Sequence, residues 1–492
     1  MPKFMLSELS LNSCGLVRKI PYWISKQKTL QTLDLSKNQL EGMFPQWLAK
    51  MEVEHVILSD NRLTGSLPPR LFDSQNLIVL SLSQNNFHGE LPSNIGNATT
   101  IGILMLDANN FSGKVPESIT NIKSLYLLDL SSNKFSSNTL PNFSSNENLG
   151  IIDLSSNEFL GEISTKFPYG TIFLSLGKNK FSGNLSRKLT NMRKLEYLDI
   201  LDNKIIHELP NSICQISILQ ILILRNNSLK GSIPDCISNL TSLRILDLSN
   251  NHLVGEIPAK FGNLIAMVET PNEFPYLGGI IVSNPIFKPE IHDLIVDWKK
   301  SKQGLSWDNL KIYSLLDLSM NQLSGEVVPS LLGSLKALKL LNVSHNNLNR
   351  RIPASLGDLK NLESLDLSHN NLFGSIPQSL AKLQQLTILD ASNNKLTGKI
   401  LVGNQMDTMN VPNFYTNNSG LCGMQIQVPC PEDLSPTKRL EVEYKVTWFS
   451  WEGLEIRYAV GFFVTVGILY LIEYFVPAKL IDRCSLQRRQ GV

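Results

Sequence analysis

Tyr197, Leu201, Ile223 and Arg225 break a pattern that most of this chain keeps. The phrase Leu-Asp-Leu-Ser-x-Asn recurs, as at Leu33–Asn38, Leu128–Asn133 and Leu365–Asn370. Counted back from each Asn, positions two, four and six alternate with the leucines and face away from the core the leucines form. The usual fillers are Asp at minus four, as in Asp129, Asp199, Asp247 and Asp366, and Ser at minus two. These read as structural rather than as a carboxylate site. The departures are where recognition chemistry would sit. Minus four holds Ile57, Met105 and Ile223, and minus two holds Asp107, Gly177, Leu201 and Arg225. Minus six carries an apolar row: Val79, Ile103, Leu127, Ile151, Phe173, Tyr197, Ile221 and Ile245. Such a row either lines a binding groove or packs laterally on itself. The candidate ligand contacts are Met105, Asp107, Phe173, Tyr197, Leu201, Ile223 and Arg225, joined by Trp298, Lys302 and Trp307 from an inserted segment.

His345 and His369 hold equivalent places on neighbouring repeats, roughly 5 Å apart by strand spacing. They are candidate partner contacts, since imidazole titrates near the pH of acidic extracellular fluid. The alternative is a pair of exposed turn residues. No Gly-rich phosphate loop, HExxH, GxSxG or paired-Cys zinc spacing occurs, so neither an enzyme nor a metal or cofactor is expected. A net charge of +2 with scattered basic residues argues against a nucleic-acid partner.

The elements that position these residues follow from the spacing. Asn38, Asn61, Asn85, Asn109, Asn133 and Asn157 recur about every 24 residues, continue through Asn179, Asn203, Asn227 and Asn251, and resume at Asn321, Asn346, Asn370 and Asn394. Cys14 holds the same slot in a first unit, a small buried thiol by expectation, which makes 15 units. One short strand cannot bury its apolar face alone; stacked copies make a parallel sheet and a continuous leucine core. The Asn amide is placed to hydrogen-bond the backbone of adjacent coils. After it comes L-x-G-x-I-P, with Gly missing only at Arg18, Ser137, His207 and Arg350. This is an α/β solenoid of leucine-rich repeats.

The ladder pauses between Asn251 and Asn321. Leu264 to about Ile312 reads as an island loop, because Leu316-Asp-Leu318 resumes in phase; it is either a binding element or a spacer. Cys422 and Cys430 read as a disulfide closing the end of the core, whereas Cys214 and Cys236 are either a second bridge or two buried thiols. Eight sequons, at Asn97, Asn110, Asn142, Asn184, Asn226, Asn239, Asn342 and Asn417, fit a lumenal or extracellular chain. Residues 458–476, YAVGFFVTVGILYLIEYFV, would span about 28 Å as a helix, and the basic tail after them puts the repeats outside the cell.

The 24-residue L-x-x-L-x-L-x-x-N-x-L-x-G-x-I-P unit resembles the plant extracellular type, as does the block from Asn418 to Gly423. With an island before the last four repeats, a Cys-paired cap, one span and a short basic tail, residues 6–492 look like plant leucine-rich-repeat receptor-like proteins. The resemblance implies a plant-type superhelix with a concave parallel sheet plus one C-terminal transmembrane helix. It implies repeats over 1–263 and 313–401, an island over 264–312, a cap over 402–431, a juxtamembrane spacer over 432–457, a transmembrane helix over 458–476 and a cytosolic tail over 477–492. It also implies a kinase-lacking, single-pass receptor at the plasma membrane. Such a receptor binds an extracellular ligand, here a peptide for choice, and signals through adaptor and co-receptor kinases, often in immunity. The repeats from Asn321 to Asn394 are where the family docks its co-receptors. The start, Met1-Pro-Lys-Phe-Met-Leu, shows no signal peptide and no Cys-paired N-terminal cap, which suggests a truncated product or partial gene model. The rival readings are a binding module or inhibitor without signalling, and a non-functional fragment.

Overall fold

In a computed structural model of the 492-residue chain, the described residues are 5–163, 166–186, 189, 191–269, 293–306, 310, 312–326, 333–403, 405–406, 409 and 411–431. All belong to the first of two compact units, Met1–Asp433 and Leu434–Val492. The segment 458–476 and the tail lie outside the described residues, as does Trp307. Among the described residues, no helix is long and apolar enough to cross a membrane.

Each coil contributes one three-residue strand to a 15-stranded parallel sheet, from Glu8–Ser10 to Ile388–Asp390. The register keeps like positions opposite each other: Leu127, Leu128 and Asp129 pair with Ile151, Ile152 and Asp153. The island does not disturb it, since Ile245, Leu246 and Asp247 pair with Leu315, Leu316 and Asp317. Shorter parallel sheets line the flank after the Asn, and 3-10 turns opening after a proline form the opposite face, as at Glu117–Asn121 after Pro116.

The Asn ladder works as the spacing requires. The Asn109 Nδ2 donates to the carbonyls of Leu82, Leu106 and Asp107 at 3.0–3.2 Å, and its Oδ1 accepts from the Phe87 N–H at 3.0 Å. One buried amide therefore satisfies backbone groups in two coils that no water reaches. Two residues on, Phe87, Phe111, Phe135, Phe159 and Phe181 stack with centroids 6.1–6.5 Å apart, an aromatic spine inside the core. The flank glycine has two reasons. Gly183 has φ +79°, and a Cβ there would meet Glu162 Cγ of the previous coil at 2.7 Å. Arg18 and His207 take the same left-handed turn without being glycine, at φ 68° and 69°, which costs about 1–2 kcal/mol each.

Four expectations change. Asn418 is a sixteenth ladder residue: its Nδ2 donates to Ala391, Tyr415 and Thr416 carbonyls, and its Oδ1 accepts from Leu396 N–H. It lies 24 residues after Asn394, but Asn-Phe-Tyr at 413–415 stands where Leu-Asp-Leu would, partly in a 3-10 turn, and hides the unit. Cys14 is exposed rather than buried, because its coil is the outermost of the stack. The core continues through Leu264 and Met267, both fully buried, so the insertion begins after them. Within it, Leu294–Trp298 and Ser301–Leu305 form an antiparallel hairpin, not a loop. Cys214 and Cys236 are bridged across adjacent coils, and Cys422 is bridged to Cys430.

Candidate functional site

The hairpin lies on the concave face and divides it. Leu294, Val296, Trp298 and Leu305 are buried in one apolar cluster with Ile221, Ile223, Ile245, Leu315 and Leu340 of the sheet. Period-two alternation leaves Ile295 and Asp297 outward. The Trp298 ring meets Tyr313 edge-on at 5.2 Å. We refer to Leu294–Leu305 as the strap.

Polar contacts fix the strap at both ends. Arg225 pairs with Asp247 at 3.6 Å and Asp297 at 3.3 Å, and donates to the Ile295 carbonyl at 3.4 Å. At the tip, Lys299 pairs with Glu363 at 2.8 Å, and Lys300 bridges Asp366 and Asp390. Burial works against the Lys300 charge, but the two carboxylates outweigh it and raise its pKa. Burial also works against Glu363, and Lys299 and Lys339 outweigh it there, lowering that pKa. Lys299 and Lys300 both have positive φ, 55° and 61°, the two-residue turn that favours Asn-Gly.

The minus-four aspartates do more than their frequency suggested. In each, Oδ1 accepts the N–H two residues on: Ser249 to Asp247, Ser319 to Asp317, Ser368 to Asp366, Ser392 to Asp390. That is the structural role. The other oxygen faces the groove, where Asp247, Asp366 and Asp390 use it for Arg225 or Lys300, and Asp317 accepts from Asn342 Nδ2 at 3.1 Å.

Upstream of the strap the face is open. A cavity of about 760 Å³ runs from Asn12 to Arg225 and is closed by Asp293, Leu294, Ile295 and Lys302 of the insertion. Its floor holds Met105, Asp107, Phe173, Gly177, Tyr197 and Leu201. Phe173 and Tyr197 stack at 4.3 Å. Ser83 donates to Asp107. Burial pushes Asp199 up to about 7, with Arg225 opposing, and lifts Asp129 well above the carboxylate range, helped by Asp107 and Asp153.

The proposed contact residues thus divide. Lys302 is exposed at the groove's end. Met105, Asp107, Phe173, Tyr197, Leu201 and Ile223 are all at most 6% exposed. The minus-six row is not an open apolar strip: neighbouring strands place these side chains against each other, and the strap covers the row from Ile221 onward. Arg225 and Trp298 are engaged within the chain, so neither is an exposed contact. His345 and His369 are exposed and stack at 3.9 Å, with Asn393 Nδ2 3.1 Å from His369 Nε2. Burial and His369 lower the His345 pKa. Of the sequon asparagines, Asn342 departs: it is half-buried on the concave floor and its Nδ2 is bonded to Asp317. The other seven are exposed.

Arg244 had no signal in the sequence. It is 3% exposed and donates to the Leu310 carbonyl at 3.2 Å and to Gln220 Oε1 at 2.8 Å; Gln220 in turn donates to Glu196. This chain of bonds anchors the return from the insertion. Burial pushes Glu196 up to about 7, with Arg244 opposing, and drops Arg244 to about 10, with Glu196 opposing.

Leucine-rich-repeat profiles match residues 193–253, and 29–51, 76–98, 337–359 and 361–383. Receptor-like protein 46 of Arabidopsis thaliana is 56% identical over 182 residues, 36% of this chain and 22% of that protein. Over that stretch the chain is similar to a plant leucine-rich-repeat receptor-like protein. The crystal structure of the Arabidopsis receptor kinase HAESA, with the peptide hormone IDA and the co-receptor SERK1, superposes with TM-score 0.65 at 29% identity, over 88% of this chain and 67% of that one. The peptide hormone receptor RGFR1 with RGF2 shares the fold, with TM-score 0.65 at 24% identity over 83% of this chain and 62% of that one. The match to Receptor-like protein 46 spans about a fifth of that receptor-like protein.

Proposed function

We propose that this receptor-like protein holds an extended extracellular peptide in the upstream groove, with one end of the peptide against the strap. The observation that carries the reading is the cavity of about 760 Å³ that ends on Asp293, Leu294, Ile295 and Lys302. A long trough floored by fixed side chains suits a chain-like ligand better than a compact one. The likeness to a receptor seen with a peptide hormone and a co-receptor supports it. In this reading residues 458–476 cross the plasma membrane, the repeats face outward, the exposed sequons carry glycans, and partner receptor kinases carry the signal, in immunity. The His345–His369 edge and its neighbouring coils are the docking area for the co-receptor.

Gly177 gives the test. It lies on the groove floor, its backbone is not in the left-handed region, and a Cβ would meet Leu201 and Asp199 side chains at 3.1–3.2 Å. The chain is panned against a displayed library of random peptides. Sequences enriched on the wild type should be lost on Gly177→Phe, with the repeats still folded by circular dichroism. Equal enrichment on both would reject the groove as the site.

A further inference from the structure

We infer that the strap is an internal stand-in for a ligand, and that the face beneath it, from the Asn227 coil to the Asn394 coil, is a second binding surface. It fits an extended segment with apolar residues at alternate positions followed by a basic pair. The inference rests on the receptor reading above and extends it to a face that reading leaves covered.

The strap shows what this surface recognises. Leu294, Val296 and Trp298 seat on the minus-six row of Ile221, Ile245, Leu315 and Leu340. The next two residues, Lys299 and Lys300, reach Glu363, Asp366 and Asp390. Both halves of that match use positions these coils line up: apolar side chains at minus six in Ile221, Ile245, Leu315 and Leu340, and carboxylates at minus four in Asp366 and Asp390, with Glu363 beside them. Any segment with the strap's alternation therefore meets the same two rows. Nothing in the match depends on the segment being tethered.

The strap's own seating is imperfect. Two consecutive lysines take left-handed backbone at the tip, where neither is glycine or asparagine. The indole Nε1 of Trp298 is buried without a hydrogen-bond partner, an arrangement native cores avoid. A free segment with the same side chains and no tight turn would keep the contacts without the strained turn. The strap is accordingly a competitor that sets a threshold: its open fraction scales the apparent affinity for anything binding beneath it.

The test uses the full chain in detergent micelles and a labelled synthetic peptide spanning residues 293–300, read by fluorescence polarisation. Weakening the strap with Trp298→Ala and Lys300→Gln should tighten peptide binding at least about tenfold over wild type. Adding Asp366→Asn and Asp390→Asn should remove the gain. A scrambled peptide should not bind. Equal affinity for wild type and weakened strap, binding indifferent to Asp366 and Asp390, or binding of the scrambled peptide would overturn the proposal. So would a dimer formed by the weakened strap without peptide, since the occupant would then be a second copy.

If the weakened strap unfolds the repeats, hydrogen exchange on the wild-type chain decides. Amides of 294–305 should exchange at least about a hundredfold faster than those of Ile245–Asp247 and Leu315–Asp317. Equal protection means that the strap does not open. The library assay with Gly177→Phe is read on the groove floor upstream of the covered face, so its failure is distinguishable from failure of the peptide-competition assay.

Discussion

The concave face upstream of the Asn203 coil and the face downstream of it are built from the same repeat, yet one is open and the other covered. Upstream, Asp129, Asp153 and Asp199 stand at minus four and Asp107 at minus two, and burial with like-charged neighbours lifts Asp129 and Asp199. Downstream, Asp247, Asp366 and Asp390 meet Arg225 and Lys300. The difference lies in an insertion rather than in the strands, since Asp247 and Asp317 pair across it in unbroken register. A generic filler thus becomes a contact residue when another element is brought over it.

The largest effect should come from cutting the ladder where the two regions join. Asn321 Nδ2 donates to Leu248, Leu318 and Ser319 carbonyls, and its Oδ1 accepts from Leu253 N–H. Asn321→Leu leaves these buried groups unpaired, at about 1–3 kcal/mol each. Denaturant unfolding should then show two transitions instead of one, because repeat arrays hold together through neighbour contacts. A single transition at the wild-type midpoint would mean that the regions are not coupled there.

Arg225→Ala should release the strap's base and leave the upstream coils folded. The loss should be about 1–3 kcal/mol, as for hydrogen bonds to charged groups, read as faster amide exchange over Leu294–Trp298. Unchanged exchange there would assign the strap's polar hold to the tip lysines Lys299 and Lys300.

Acidity offers a third comparison. Asp199 upstream and Asp317 downstream are both pushed to about 7 by burial. Their folded pKa exceeds the unfolded value, so between about pH 4 and 7 the folded state binds protons that the unfolded state does not. Stability therefore falls as pH rises through that window. His55 and His345, lowered by burial, act in the opposite sense below about pH 6.5. With the carboxylates prevailing, the melting temperature should be higher at pH 5 than at pH 7.5. Asp199→Asn should reduce that difference; an unchanged pH profile in Asp199→Asn would assign the titration to the other raised carboxylates, Asp129, Glu196 or Asp317. The smallest effect should be His207→Gly, a gain of about 1 kcal/mol from relieving a positive φ on the flank, with ligand binding in both regions unaltered.

Much of the fold was legible in the sequence because its signals are local and periodic. The ladder asparagines, the alternating leucines and the flank glycine each act within one coil and its neighbour. The one missed coil, at Asn418, kept the spacing and lost the phrase. The site was less legible. Tyr197 and Phe173 stand out by type, but lateral packing between strands buries them. Arg225 stands out too, and its partner Asp297 is 72 residues away.

What the sequence determined by itself is therefore the stack: its period, its core and the direction each side chain leaves the strand, since these follow from hydrogen bonding and burial over 24 residues. What only the tertiary structure decided is which outward side chains remain available. The strap reaches strands as far on as that of Asp390, which pairs with Lys300. Where such a segment comes to rest depends on the summed fit of two surfaces that no local pattern links.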